Sequence, residues 1–236
     1  MASIVIKNWD NKNWLSSRKY IQTLNEFILL ETDLNKNSSI LDIGCGRGKI
    51  PGNLKSKLCL KNKPIGVDIV NHKDRDRRIE FKKKDGLSFL RKNKKRFNLI
   101  LIKQTIHLLS ISKIRELINK CRESLHSDGK ILIFCLDPAN NEMPAFKLMS
   151  KKLKRSLLRD KMIIKILNKK KVKLKKFVYK VKITKKKYIE MINDRFISTL
   201  ISMSDKEIFE GINEIDAGFD KNLIFNDNLV CIVIKK

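Results

Sequence analysis

Residues 40–48 read Ile40-Leu41-Asp42-Ile43-Gly44-Cys45-Gly46-Arg47-Gly48, and the next apolar run, Pro64-Ile65-Gly66-Val67, closes on a single acid, Asp68. An apolar strand that must turn tightly beside a ligand needs glycine, because only glycine lets backbone approach so closely. An acid at the end of the neighbouring strand is then placed to accept hydrogen bonds from two ribose hydroxyls. The chemistry this predicts is the holding of a nucleoside-containing ligand. A dinucleotide fingerprint needs G-x-G-x-x-G, yet Lys49 stands where its third glycine belongs, and the glycines fall instead at 44, 46 and 48. No GxxxxGK[ST] occurs, so a P-loop is excluded. A ligand without a phosphate cradle fits these residues better.

The elements that must carry this turn follow from the hydrophobic pattern. Residues 16–31 place Ile21, Leu24 and Ile28 on one helical face, with Tyr20 and Phe27 flanking. Strands are predicted at Ser39–Gly44, Pro64–Asp68, Arg78–Phe81, Phe97–Lys103 and Lys130–Leu136, with helices at Pro51–Leu58, Leu87–Asn93 and Ser112–His126 between them. Such alternation implies a parallel sheet covered on both faces. The turn Ser127-Asp128-Gly129 is expected to lead into the fifth strand. From Asp137 the pattern changes. Residues 145–171 are lysine-rich with an apolar stripe at Phe146, Met149, Leu153 and Leu157; Phe177–Ile183 alternates like a strand. Thr184 can cap a short helix, Ser204-Asp205-Lys206-Glu207 is a capping box, and Leu229–Ile234 closes the chain as a strand.

The glycine turn with Asp68 at the next strand end resembles motif I and the strand-two acid of class I S-adenosylmethionine-dependent methyltransferases. The resemblance covers roughly residues 38–136. It implies an α/β, Rossmann-like, doubly wound sheet of seven strands, mostly parallel with an antiparallel last strand, and a basic helical insert after strand five. The division expected is one methyltransferase domain over 1–236: a helical lid segment 1–37, a cofactor core 38–136, the insert 138–176 and a completing part 177–236. By the same resemblance Asp42 and the backbone of Gly44, Cys45 and Gly46 would meet the methionine amine of S-adenosyl-L-methionine. Asp68 would bind the ribose, Ile69 the adenine ring, and Asp85 with the Gly86 backbone the adenine amine, although an acid in that position is often a helix cap. Two departures from the family stand out. Asn98 replaces the acid that often opens strand four, and Pro51-Gly52 sits where the first helix would start, which predicts a late start for that helix.

Strand four ends in Lys103-Gln104-Thr105-Ile106-His107, at the edge where an open parallel sheet holds its ligands. Lys103 and Gln104 are therefore placed to touch cofactor or an acidic acceptor. Methyl transfer is an in-line displacement that alignment alone can largely promote. A protonated acceptor also needs a base, for which His107 is the candidate, unless it only shapes the pocket. Trp14 and Tyr20 are expected either to fold over the site as a lid, with cation–π attraction to a sulfonium, or to staple the first helix to the sheet.

The 236 residues carry a formal net charge of +28. Residues 147–187 alone hold 17 Lys and 2 Arg against Asp160. This balance fits a polyanionic partner, or a lysine-rich coding bias with no functional meaning. No apolar run reaches the ~18 residues of a membrane span, Met1-Ala2-Ser3 opens no signal-peptide pattern, and the five cysteines lack a CxxC pair, so a reduced, cytoplasmic protein without a bound metal is expected. The favoured acceptor is a small acidic metabolite. The alternatives are RNA or DNA along 147–187, and a lipid or quinone reached by a peripheral membrane contact of the amphipathic stripe. Against nucleic acid, no [DNS]-P-P-[YF] motif follows strand four; Asp137-Pro138-Ala139-Asn140 is similar only faintly and follows strand five. A catalytically silent cofactor-binding subunit is disfavoured by the set Asp42, Asp68 and Asp85.

Overall fold

The computed structural model describes residues 13–168 and 172–236; the first part of the expected lid segment and three of the insert's lysines lie outside them. Seven strands form one sheet: β1 (Ile40–Ile43), β2 (Ile65–Asp68), β3 (Glu80–Lys83), β4 (Phe97–Lys103), β5 (Leu125–Leu136), β6 (Val172–Thr184) and β7 (Asn222–Lys235). Their order is β3-β2-β1-β4-β5-β7-β6. Strands β1 to β5 pair in parallel, and β7 runs antiparallel to both β5 and β6.

Local sequence explains most boundaries. Helix α1 (Arg18–Leu30) is capped by Ser17, whose side chain accepts from Tyr20 N. Helix α2 (Lys49–Lys57) does not start late: Pro51 falls within its first turn, where a backbone N–H has no helical partner to lose. Helices α3 (Gly86–Lys92) and α4 (Ile111–Glu123) carry Asp85 and Ser110 as caps. Residues 127–129 do not separate helix from strand. Strand β5 begins at Leu125 and absorbs them where its pairing with β4 shifts register.

The basic segment forms α5 (Lys147–Leu167), which links β5 to β6. Its start buries Phe146 and Met149 in the core on one face of the sheet, and its end buries Ile163 and Leu167 in the core on the other. The stripe Phe146, Met149 and Leu153 is therefore packed within the protein. Strand β6 begins at Val172, five residues before 177, and α6 (Lys185–Asn193), α7 (Ser198–Ile201) and α8 (Asp205–Gly218) fill the connection to β7. Past the level of Leu136, β6 and β7 continue as a two-stranded ribbon, Phe177–Thr184 against Asn222–Leu229. One side of it packs with α1 and α6 through Phe177, Val181, Phe225 and Tyr188.

Candidate active site

The turn after β1 is held by its own backbone. The N–H groups of Gly44 and Cys45 both donate to Val67 O, and Gly48 N donates to Cys45 O. Gly44 has φ +74°, and a Cβ there would lie 2.2 Å from Thr105 Oγ1. Any side chain would therefore drive the turn away from the end of β4. Asp68 ties the turn to β2: its two oxygens accept from Gly46 N at 2.8 Å and Val70 N at 2.9 Å. A carboxylate has about four lone-pair positions, so room remains for ribose hydroxyls. Arg47 is buried and its guanidinium Nε meets both oxygens of Asp74 at 2.8 and 2.7 Å, pinning the loop that follows β2.

Register places three charged groups on one face. Asp42 pairs with Leu101, and Lys103 lies two residues further along β4. Lys103 pairs with Phe134, Phe134 with Cys231, and Asp227 lies four residues before Cys231 on β7. Even spacings keep side chains on one side of a sheet, so Asp42, Lys103 and Asp227 share it. Asp42 is buried and accepts no hydrogen bond from any described residue. Burial and the nearby Asp68 push its carboxyl up to about 8, against the pull of Lys103. Burial brings the Lys103 ammonium down to about 8, opposed by Asp227 and Asp42. Its Nζ donates to Gln104 Oε1 at 3.0 Å and sits 5.3 Å from the Tyr20 ring centroid. Asp227 is 4% exposed, its carboxyl raised by burial, and accepts from Trp14 Nε1 at 3.1 Å. The buried Tyr20 phenol lies beside the same carboxylate and is held well above its usual range.

The other expected residues are distributed as follows. Gln104 takes φ +49°, a strained turn at the end of β4 whose N–H donates to Phe134 O. Gly86 packs on β1, where a Cβ would lie 2.4 Å from Ile43 Cγ2. Asp85 is exposed and accepts from Ser88 N at 2.9 Å, so its side chain caps α3. Ile69 is 67% exposed at the crevice rim. Cys45 carries a thiol pushed up by burial, Asp42 and Asp68, which keeps it protonated. His107 lies on a short 3-10 turn, Ile106–Leu108; burial and the Arg159 guanidinium lower it, leaving a neutral imidazole at pH 7. Trp14 and Tyr20 are buried against other aromatic rings. Trp14 packs edge-on to Phe196 and Phe225, and Tyr20 edge-on to Phe177 and Tyr179, all within the core.

Two residues escaped the sequence reading. Asp227 was hidden because Asn226-Asp227-Asn228 interrupts the apolar pattern of β7; an acid in an inward register position is the signal that reveals it. Arg159 donates from α5 to His107 O at 2.6 Å and to Leu109 O, so the basic helix holds the turn that bears His107. A cavity of about 440 Å³ between α5 and α8, lined by Phe146, Lys147, Lys151 and Phe219, lies apart from these strand ends.

A family model described as a methyltransferase domain matches residues 15–159, more than half of the chain. The chain belongs to the methyltransferase family. It has the class I, S-adenosylmethionine-dependent fold that the glycine turn implies. No curated protein matches the methyltransferase in sequence. Among solved structures it is similar to an Anabaena variabilis protein assigned as a methyltransferase of an antibiotic biosynthesis pathway (14% identity, 90% of this chain and 96% of that one, TM-score 0.64). It is also similar to a precorrin-6y C5,15-methyltransferase from Geobacter metallireducens (12%, 96% and 93%, TM-score 0.54). A third is the plantazolicin methyltransferase BpumL, solved with a triazolic substrate analogue and SAH (14%, 97% and 89%, TM-score 0.53). Identities this low speak for the fold alone. No described helix of the methyltransferase is long and apolar enough to cross a membrane.

Proposed function

We propose that the protein transfers the methyl group of S-adenosylmethionine to a small acidic metabolite. The observation that carries this reading is a half-buried Lys103 ammonium at the carboxyl end of β4. It makes one hydrogen bond to a described residue and keeps two donors for an anion, beside a glycine turn already tied to Asp68. The bound cofactor would supply an activated methyl on a sulfonium. Asp68 would accept from the ribose hydroxyls, with Ile69 against the adenine and Asp85 and the Gly86 backbone at the adenine amine. Asp42, which lacks any described hydrogen-bond donor, would receive the cofactor's ammonium beside the Gly44, Cys45 and Gly46 backbone.

Lys103 and Gln104 would orient the acceptor's anionic oxygen. An acceptor carboxylate attacks without losing a proton, and orientation then suffices. For a hydroxyl acceptor, His107 would take the proton on an imidazole nitrogen, in the neutral state a base requires.

Calorimetry of the chain with S-adenosylhomocysteine and, separately, with NAD tests the cofactor half; binding of the former alone is expected, and NAD binding would overturn it. For the acceptor half, a metabolite extract is split by anion exchange and each fraction is incubated with methyl-labelled cofactor. Label entering the acidic fraction, and lost in Lys103→Met, is expected; label confined to the neutral fraction would refute an acidic acceptor.

A further inference from the structure

Among the described residues strand β6 is the edge of the sheet and pairs only with β7. Alternate residues of the ribbon face opposite sides. Phe177, Tyr179 and Val181 turn into the core, while Leu174, Lys176, Val178, Lys180 and Lys182 turn to the other side. On β7, Ile224 pairs with Lys182 and joins this second side. Past the level of Leu136 no described helix covers it: Val178 and Ile224 are 51 and 60% exposed and Lys180 and Lys182 are exposed, while Leu174 (42%) and Lys176, level with Ile133 and Cys135 of β5, are exposed as well. Lys161 and Ile164 of α5 border this surface, and Leu158, Met162 and Lys165 on the same helix are exposed. Where α5 meets the strand there is a shallow cavity of about 230 Å³, with Ile164, Leu174 and Val230 on its apolar wall and Lys161 and Lys176 at its rim. Two acids border this side: Glu142, whose carboxylate is taken up by Asn226 and Asn228, and Asp137, which lies near Lys176 and accepts from Ala139 N and Asn140 Nδ2.

We propose that this uncovered ribbon face, with the adjoining edge of α5, docks on an anionic phospholipid bilayer. Aliphatic side chains interleaved with lysines suit a headgroup boundary, where the aliphatics enter the acyl region and the ammonium groups meet lipid phosphates. A nucleic acid would be better served by arginine and by stacking aromatics. The ribbon face has neither, since Phe177 and Tyr179 point the other way. A second copy is disfavoured because a lysine-studded edge repels its own kind. The apolar residues concerned differ from the Phe146, Met149 and Leu153 stripe, which is buried. The proposal stands apart from the choice of methyl acceptor.

The test is flotation of the full chain with vesicles of phosphatidylcholine alone and of phosphatidylcholine mixed with phosphatidylglycerol, at about 0.1 M salt. Binding to the mixed vesicles only is expected. The pair Val178→Glu with Ile224→Glu, and separately the pair Lys176→Glu with Lys180→Glu, should each weaken it about tenfold or more. Circular dichroism and S-adenosylhomocysteine affinity should stay unchanged. Three results would each overturn the proposal: no flotation with mixed vesicles, full binding by the Val178 and Ile224 pair, or tighter binding to transfer RNA than to vesicles at the same salt.

Discussion

The two sides of the crevice hold their charges by different means. On the β1–β2 side, Asp68 is fixed by backbone N–H groups at Gly46 and Val70, supplied within thirty residues of chain. On the β4–β7 side, Lys103 and Asp227 are met by side chains from a distant segment, Trp14 and Tyr20, with the adjacent Gln104 accepting from Lys103. Backbone donors come with the turn and tolerate change around them. Side-chain donors must be packed into place, so the second side depends on the whole aromatic core. Damage to the first side should therefore appear in cofactor affinity, and damage to the second in stability and acceptor handling.

The largest effect that can break this contrast is Trp14→Ala. It leaves a hole among Tyr188, Phe196 and Phe225 and strips a donor from buried Asp227, an expected cost of ~3–5 kcal/mol in chemical denaturation. S-adenosylhomocysteine affinity of the folded fraction should hardly move; a collapse of that affinity would mean the two sides are not separate. Asp68→Ala is expected to do the reverse, with at least a tenfold loss of affinity by calorimetry, about 1.4 kcal/mol, at little cost in melting temperature. Unchanged affinity in this variant would place the ribose elsewhere. The smallest effect is one of pH. The Asp42 carboxyl, held at about 8, is mostly protonated below that value, and only its ionised form attracts the ligand ammonium. Affinity for S-adenosylhomocysteine should then rise about fivefold between pH 7 and pH 8, and Asp42→Asn should flatten the rise.

The same contrast explains what could be read from sequence. The glycine spacing, Asp68 and the β4 boundaries at Phe97 and Lys103 were legible because local backbone chemistry and an unbroken apolar run dictate them. Pro51 misled, since a first-turn proline looks the same in sequence as a delayed helix. Asp85 was legible both as a cap and as a ligand group, and its exposed side chain serves the cap here. Strands β6 and β7 were cut short because lysines fall on both sides of β6 at its start, Lys173 and Lys175 on one and Lys176 on the other, and Asn226-Asp227-Asn228 breaks β7. Their polar groups are satisfied by Glu142 and Trp14, partners at sequence separations no local pattern can carry. Arg159 was invisible for the same reason: its partners are backbone carbonyls on another element.

The hydrogen bond from Trp14 to Asp227 joins residues 213 positions apart. Closing so long a loop is entropically costly, and β6 is joined to the rest of the sheet through β7. The glycine turn can assemble from neighbouring chain while the acceptor side is still open. Contact separation of this kind predicts that cofactor recognition precedes the finished acceptor side during folding, with Trp14 emission as the signal that would date the closure.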